Sequence, residues 1–540
     1  MKKGLLYLFI LFFWSCAQVS PPTGGIIDST PPALVNSTPP QNTVYFSADG
    51  FDLEFDEMVD LDNIYGQLLV SPPMKEKPVV RVNKKKIHVH FDKNDLQENS
   101  TYTFNFGSAI KDHNEGNVLP NFTYVFSTGS YIDSLSLSGT VNDAFSEEAV
   151  KSTLVLMYRN LEDSMPLTSM PNYFGISDEN GNYRINNIKE GKYKLFALED
   201  FNQNYIYDQP SERIAFLNDF IQLDSNIEAL DFNLFSEASN KQFVSERDVQ
   251  DFGRLHYTFN KGLKELDLTL KDAAFDDSEY KVKLSKSKDT LDIWFPDYDG
   301  KFLMIIKEDS SFIDTSEIDI KPVFTIEEMP PFNITPNFSG QMDLNKTLSI
   351  SFDNPITEWN PEFISLHEDS IKMDIQPYFS DSLRLTLIIP YQWKEKRKYL
   401  LLVGLGSFTD FYNQTNELFE LRFGAQEESY YGKVNIDMDF GEAVTPFIIQ
   451  MLDAEGKVIN ERTLEKSGII NYTYLSPEEY GFRLIQDLNK NGKWDTGEYS
   501  SKTQPEPVLY YPSKTKVRSN WEIDLSWLVK LNEEEEEQTE

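Results

Sequence analysis

Residues 101–107 read TYTFNFG, in which the aromatic residues Tyr102, Phe104 and Phe106 alternate with threonine and asparagine. Successive side chains of a β-strand point to opposite faces, so this alternation predicts a strand with an aromatic inner face and a polar outer face. The same period of two occurs in residues 51–55, 87–91, 348–352 and 383–387. Each of these stretches therefore predicts a strand that buries one face of a β-sheet.

The strand pattern occurs twice along the chain. Four pairs of residues are each separated by 297 positions, and the pairs are Phe55 with Phe352, Tyr102 with Tyr399, Gly107 with Gly404, and Phe126 with Phe423. Fixed spacing of this kind is typical of a duplicated structural module. We therefore expect two copies of one β-domain, each followed by its own second domain.

The first copy carries a set of short motifs. Residues 28–42 read DSTPPALVNSTPPQN, residues 51–60 read FDLEFDEMVD, and the strand that ends in Gly107 is followed by FSTG at residues 126–129. Together they resemble the bacterial Ig-like domain of surface-layer proteins. The resemblance covers residues 31–130, and a diverged copy at residues 323–425 keeps only MPPFNITPN of the opening. It implies a β-sandwich of about seven short strands.

A second kind of module follows each copy, at residues 131–237 and 426–530. The first contains YFGISDENGNYRINNIKEGKYKLFALED, in which Asp178, Gly181 and Tyr183 indicate a hairpin turn. These residues resemble the regulatory domain of carboxypeptidases, which implies a prealbumin-like β-sandwich. The module at 426–530 lacks this turn.

Three features complete the predicted organisation. The chain has 540 residues, which is too long for one core when domains usually have about 100–200 residues. Residues 238–322 show strand periodicity and predict a β-sandwich of unknown family. Residues 531–540 include five consecutive glutamates, which predict a solvated tail. The expected fold is all-β, with small Ig-like and prealbumin-like sandwiches in tandem.

Charge and cysteine content limit the possible functions. The formal net charge is −37, so binding to nucleic acid would begin with repulsion from the phosphates. Cys16 is the only cysteine, which excludes an internal disulfide. The sequence contains no H-E-x-x-H, G-x-S-x-G or phosphate-loop motif, so we expect no enzymatic activity.

Residues 1–16 read MKKGLLYLFILFFWSC, with two lysines, a short apolar run, and serine before the cysteine. This pattern is typical of a secretory signal peptide. It resembles a lipoprotein signal, which implies lipidation of Cys16 and anchoring to the outer membrane, at the cell surface or on the periplasmic side. Residues 17–30, rich in proline, glycine, serine and threonine, predict a flexible tether. The alternative is an ordinary signal peptide with an unrelated cysteine.

Residues 487–498 read DLNKNGKWDTGE and follow the spacing of a calcium-binding loop. Oxygen ligands are expected at alternate positions before and after a sharply turning glycine, Gly492. The candidate ligands are Asp487, Asn489, Asn491, Lys493 through its carbonyl, Asp495 and Glu498. A strand precedes the loop and no helix follows, which differs from an EF-hand. The alternative is a turn held by its own asparagine and aspartate side chains.

The first copy has a weaker form of this loop at residues 200–212. Its candidate ligands lie 287 positions before their counterparts, and they are Asp200, Asn202, Asn204 and Asp208. Tyr205 stands where the glycine is expected, and Glu212 comes one residue late. Ca²⁺ is the only cofactor that the sequence suggests.

The sequence supports two functions. The first is a non-catalytic cell-envelope lipoprotein that acts as a multi-domain scaffold, spacer or adhesion protein. The second is a component of an outer-membrane assembly that binds a glycan or an envelope protein. Aromatic residues exposed on the repeated loop, Tyr205, Tyr207 and Trp494, would favour the second, whereas the alternative is that they pack beneath the loop.

Overall fold

The structure is a computed structural model that describes residues 28–530, apart from residues 210, 240, 309–311, 326–328 and 442–445. The signal peptide with Cys16, most of the tether and the acidic tail at 531–540 lie outside the described residues. The described chain divides into two compact units. One contains residues up to Ser236 together with Tyr499–Lys502, and the other contains the remainder.

The first sandwich packs a four-stranded sheet, β1-β2-β6-β5, against a three-stranded sheet, β4-β7-β9, with β3 and β8 paired at one side. The predicted inner faces are buried, because Phe51, Leu53, Tyr102 and Phe104 all belong to its core. A one-turn helix, α1 (Ile64–Gln67), and a 3-10 helix (Lys93–Asp95) complete it. The strands are β1 (Leu34–Thr38), β2 (Gly50–Phe55), β3 (Val59–Leu61), β4 (Leu69–Ser71), β5 (Val79–Asn83), β6 (Lys86–His90), β7 (Thr101–Asn105), β8 (Ile110–Asp112) and β9 (Thr123–Ser127).

The second sandwich has a three-stranded sheet, β13-β10-β17, in which β10 and β17 are parallel, and a larger sheet, β12-β11-β14-β15, with β16 also on β14. A short helix, α2 (Met165–Thr168), follows β11. The strands are β10 (Leu135–Asp143), β11 (Leu154–Tyr158), β12 (Tyr173–Ile176), β13 (Asn182–Ile188), β14 (Gly191–Leu198), β15 (Ile214–Phe216), β16 (Ile221–Leu223) and β17 (Phe232–Leu234).

The third sandwich pairs the sheet β18-β19-β22-β21 with the sheet β20-β23-β24. Its core is formed by aliphatic and aromatic residues from both sheets, including Tyr257, Ile293 and Met304. A 3-10 helix (Val323–Thr325) follows it. The strands are β18 (Val244–Val249), β19 (Arg254–Phe259), β20 (Asp267–Lys271), β21 (Lys281–Leu284), β22 (Thr290–Trp294), β23 (Gly300–Glu308) and β24 (Phe312–Ile320).

The fourth sandwich repeats the first. Its sheet β25-β26-β31-β30 matches β1-β2-β6-β5, its pair β27-β33 matches β3-β8, and its sheet β29-β28-β32-β34 matches β4-β7-β9 with one added strand. A 3-10 helix (Pro361–Phe363) precedes β28. The strands are β25 (Ile334–Pro336), β26 (Leu348–Phe352), β27 (Ile356–Trp359), β28 (Ile364–Glu368), β29 (Ile371–Met373), β30 (Tyr378–Phe379), β31 (Thr386–Ile389), β32 (Lys398–Val403), β33 (Phe408–Asp410) and β34 (Phe419–Gly424).

The fifth sandwich repeats the second, with the sheets β38-β35-β42 and β37-β36-β39-β40, a parallel pair β35 and β42, and β41 on β39. A 3-10 helix (Glu428–Tyr430) precedes it. The strands are β35 (Gly432–Asp439), β36 (Phe447–Leu452), β37 (Val458–Leu464), β38 (Gly468–Leu475), β39 (Glu479–Gln486), β40 (Val508–Tyr510), β41 (Thr515–Lys516) and β42 (Glu522–Leu528).

The chain is thus an all-β protein of tandem sandwiches, as the sequence predicted. The repeat is confirmed by the matching strand orders of the first and fourth sandwiches, and of the second and fifth. Central strands of the repeated second module are buried on both faces, since every residue of β11 and β36 is buried. The loops that follow β14 and β39 therefore leave from a sheet with little freedom to shift.

Candidate functional site

The two predicted calcium loops occupy equivalent places in the fold. One connects β14 to β15 and the other connects β39 to β40, and both strand pairs are antiparallel. We refer to them as the β14–β15 loop and the β39–β40 loop. As expected, each loop leads from one strand to the next. Within the described residues of each loop there is no helix.

In the β39–β40 loop, Asp487 organises the turn. Its carboxylate is only 1% exposed. Oδ1 accepts a hydrogen bond from the backbone N–H of Asn491 at 3.0 Å, and Oδ2 accepts one from that of Gly492 at 2.8 Å. Gly492 has φ of 80°, in the left-handed region that favours glycine. The chain turns sharply at the sixth position of the loop, where a calcium-type loop requires it.

Asp495 is the point on which the two loop asparagines converge. Asn489 Nδ2 donates to Asp495 Oδ2 at 2.6 Å, and Asn491 Nδ2 donates to the same oxygen. Lys493 lies on the exposed side, with its ammonium 3.6 Å from Asp495 Oδ1. The structure therefore brings Asp487, Asn489, Asn491 and Asp495 together in one small region.

Glu498 pairs through its backbone with Thr503, in two hydrogen bonds of 2.9 Å. Another acid, Glu506, contacts the second and ninth residues of the loop motif, Leu488 and Asp495. The sequence pattern did not single it out. Its Oε1 accepts from the N–H of Leu488 at 2.7 Å, and its Oε2 accepts from that of Asp495 at 3.0 Å. Burial raises the pKa of Glu506, although the backbone donors oppose this shift. Glu506 is thus a buried carboxylate that closes the loop.

The β14–β15 loop has the same construction. Asp200 accepts from the N–H groups of Gln203 at 2.7 Å and Tyr205 at 2.8 Å. Tyr205 has φ of 63°, so a tyrosine adopts the left-handed conformation that Gly492 adopts in the other copy. The amides of Asn202 and Asn204 donate to the two oxygens of Asp208, at 3.1 and 2.9 Å.

Glu212 closes the β14–β15 loop as Glu506 closes the other. It is fully buried, and its Oε2 accepts from the N–H groups of Asp208 and Gln209, both at 3.1 Å. Its Oε1 is buried and has no hydrogen-bond partner within the described part of the chain. Each glutamate lies two residues before the next strand, since β15 begins at Ile214 and β40 at Val508. This position was the sequence signal that could have identified Glu506.

The aromatic residues of the loops are partly buried. Tyr205 makes an edge contact with Phe174 at a centroid distance of 5.1 Å, and burial raises its pKa. The backbone N–H of Tyr207 donates to the carbonyl of Pro166 at 2.8 Å. Trp494 Nε1 donates to the carbonyl of Glu506 at 2.9 Å. The geometry therefore corresponds to the packing alternative for all three residues.

Acidic side chains alone do not form a metal site in the described regions. No group of three or more histidine, cysteine, aspartate or glutamate side chains is arranged there as a metal-binding cluster. Each loop instead combines acids with two asparagine amides.

A groove of about 600 Å³ lies between the first and second sandwiches, within one compact unit. Tyr65, Met74 and Pro73 line it from the first sandwich, while Met170 and Tyr205 line it from the second. Tyr65 is 54% exposed. The groove thus combines an apolar wall with an exposed aromatic ring at the edge of the β14–β15 loop.

Within the residues that the structure describes, no helix has both the length and the apolar character needed to cross a membrane.

Comparison with known proteins identifies one domain. Residues 28–128 match the family model of the bacterial Ig-like domain, which agrees with the resemblance seen in the first sandwich. None of the curated proteins matches the chain significantly.

Solved structures similar to this chain are multi-domain proteins of low sequence identity. BcpA, the major pilin subunit of Bacillus cereus, is 9% identical, with 73% of this chain and 99% of that chain covered and a TM-score of 0.15. The glucan-utilisation protein SGBP-B of Bacteroides ovatus, solved with a mixed-linkage heptasaccharide, is 9% identical over 72% and 94%, with a TM-score of 0.19. Domains 1–6 of the surface layer protein SbsC are 11% identical over 87% and 67%, with a TM-score of 0.13. At these TM-scores the function must be argued from the chain's own residues.

Proposed function

We propose that this chain is an exported envelope lipoprotein, anchored at the outer membrane through Cys16, that serves as a non-catalytic scaffold or spacer for adhesion. The observation that carries the proposal is that neighbouring sandwiches within each compact unit meet through packed, hydrogen-bonded junctions. Domains joined by flexible linkers move relative to one another, whereas ordered junctions make a row of domains stiff. Ordered junctions suit a scaffold, because within each unit they fix neighbouring domains relative to one another.

The junction between the first and second sandwiches is built around the buried Asp133. Its Oδ2 accepts a hydrogen bond from Thr101 Oγ1 at 2.8 Å, and its N–H donates to the same hydroxyl oxygen at 2.9 Å. Asn187 Nδ2 donates to the Asp133 carbonyl at 2.9 Å. Thr101 begins β7 and Asn187 lies in β13, so these bonds join the sheets of two sandwiches.

In the other unit, two junctions connect the third sandwich to the fourth and the fourth to the fifth. Phe252 and Trp294 of the third sandwich form one buried cluster with Leu385 and Tyr412 of the fourth. Between the fourth and fifth sandwiches, the Tyr431 hydroxyl donates to Asp343 Oδ1 at 2.8 Å. Apolar and polar contacts therefore both restrict motion at these boundaries.

The test is protease accessibility on intact cells that express the protein with a radiolabelled fatty acid. We expect the label in the wild-type protein and its loss in Cys16→Ser. An unlabelled wild-type protein would exclude the lipid anchor. Digestion of labelled protein on intact cells would place the sandwiches at the cell surface and favour adhesion. Protection until the outer membrane is opened would favour a periplasmic scaffold.

The groove favours a second candidate function, glycan or protein binding within an outer-membrane assembly. Exposed aromatic rings beside an apolar wall suit the flat faces of sugars or an apolar peptide segment. A glycan array probed with wild-type protein and with Tyr65→Ala tests the glycan form. Tyr131→Ala is a matched control, because Tyr131 is 56% exposed and does not line the groove. Binding that both variants retain would exclude this groove as the site.

A further inference from the structure

We propose that the β14–β15 and β39–β40 loops are a matched pair of Ca²⁺ sites, and that Glu212 and Glu506 are their closing ligands. This inference is independent of the proposed scaffold function. It adds to the β39–β40 site a buried carboxylate, Glu506, that the loop spacing does not identify.

The asparagine side chains of each loop converge on one aspartate. In both loops two asparagine amides point at the aspartate in the ninth position, Asp208 or Asp495. An asparagine amide carries an oxygen and a nitrogen of nearly the same shape, so turning it about its last side-chain bond exchanges donor and acceptor. In the structure the amide oxygens accept backbone N–H groups. A cation that draws these oxygens inward would replace those bonds and meet hard oxygen ligands.

One carboxylate oxygen of Glu212 has no hydrogen-bond partner among the described residues. Its carboxylate lies against the loop, because Oε2 accepts from the N–H of Asp208, which is itself a candidate ligand. The other oxygen, Oε1, is buried and unpartnered. A buried carboxylate oxygen without a donor is unfavourable, since it has lost its hydration and gained nothing in return. A cation held by Asp208 and the two asparagine oxygens would supply the missing interaction.

The two copies place their glutamate in the same way despite different spacing along the chain. Glu212 accepts from a backbone N–H four residues before it, whereas Glu506 accepts from one eleven residues before it. In both cases the donor is the N–H of the ninth-position aspartate. The longer β39–β40 loop thus keeps the glutamate in the same structural place. Each loop thus offers carboxylate and amide oxygens, which are ligands of the kind that Ca²⁺ takes.

The experiment uses the full-length protein, extracted in detergent and freed of metal with a chelator. Calorimetric titration with Ca²⁺ should show two sites in the wild type and one in either Glu212→Gln or Glu506→Gln. Glu498→Gln is the matched control, because Glu498 is the twelfth residue of the loop motif, and it should retain two sites. The proposal is overturned if the wild type binds no Ca²⁺ at millimolar concentration, or if Glu506→Gln retains both sites.

A second measurement distinguishes a loss of Ca²⁺ binding from a loss of folded protein. Melting temperatures are compared in Ca²⁺ and in chelator, since a ligand that binds only the folded state raises stability by mass action. We expect Glu506→Gln to lower the melting temperature in chelator, because its amide nitrogen cannot accept a backbone N–H group, and to shrink the Ca²⁺-dependent rise in addition. Terbium emission sensitised by Trp494 should also disappear in this variant. An equal loss of stability in both conditions would assign Glu506 a structural role instead and refute the proposal.

Discussion

The first and fourth sandwiches place an aspartate at the same turn, and the two carboxylates have opposite pKa shifts. Asp112 ends β8 and Asp410 ends β33, and both are buried. Asp112 accepts four backbone N–H groups, at distances of 2.6 to 3.0 Å. Asp410 accepts two backbone N–H groups and one side-chain amide, from Asn354.

The difference shows how its surroundings set the pKa of an aspartate at one position of the fold. Burial alone would raise the pKa of Asp112, but its four backbone donors lower it to about 2. At Asp410 burial prevails and raises the pKa, because fewer donors oppose it. Tyr412, two residues on, packs edge-on against Phe252 of the third sandwich at 5.1 Å, so a neighbouring domain helps to exclude water there.

The largest expected effect on stability comes from replacing the two equivalent core phenylalanines, Phe126 and Phe423. Phe126 is fully buried and contacts five other aromatic rings, whereas Phe423 contacts three. Replacing a buried phenylalanine with alanine destabilises a core by about 3–5 kcal/mol. We expect Phe126→Ala to reach that range and Phe423→Ala to lie below it. Hydrogen exchange in β9 and β34 measures each sandwich separately, and equal losses would contradict the comparison.

The next test exchanges each turn aspartate for asparagine. Asp112→Asn should destabilise the first sandwich, because the amide nitrogen cannot accept the N–H groups that the carboxylate oxygen accepts. Asp410→Asn should be neutral or stabilising by up to about 1 kcal/mol, since it removes a buried charge. The Oδ1 of Asn354, which is buried without a partner among the described residues, would gain a donor. Protection of the turn amides from exchange distinguishes the two outcomes, and destabilisation by both variants would refute the expected difference.

A smaller effect concerns the sharp turn of the second module. Gly492 and Tyr205 occupy the same left-handed position, but only the glycine adopts it without steric penalty. Gly492→Ala should destabilise the fifth sandwich by about 1 kcal/mol, although a Cβ there would meet no atom within 4 Å. Chemical denaturation followed by Trp494 fluorescence tests this, with Gly456→Ala, another open left-handed position, as the control. A variant as stable as the wild type would show that the backbone relaxes.

The smallest effect is pH-dependent. The folded pKa of Asp112, about 2, lies below its ordinary value of 3.8, so its stabilising contribution is present above about pH 4 and is lost as the pH falls towards 2. The folded pKa of Asp410 is raised, so its unfavourable ionisation disappears as the pH falls. Exchange protection at Asn114–Asn117 should therefore fall on acidification before protection at Tyr412 and Gln414 does. Asp112→Asn should remove this pH dependence, and a parallel loss at both turns would contradict the assignment.

Much of the fold was predictable because it follows from local periodicity. Phe51, Leu53, Tyr102 and Phe104 alternate with polar residues and are buried as that alternation requires. The repeat was visible because equivalent strands kept their spacing. The loops were located because aspartate, asparagine and glycine are the residues that tight turns demand.

The sequence by itself determined the strand faces, the duplication and the first four polar positions of each loop, since these depend on contacts close in the chain. Only the tertiary structure decided that Glu506, and not an acid at a standard spacing, lies against the start of its loop. It alone decided that Asp112 and Asp410 differ, because Asn354, which donates to Asp410, and Phe252, which packs on Tyr412, come from distant segments. Burial and hydrogen bonding between distant segments have no periodicity in the chain, and this is why the sequence alone did not reveal them.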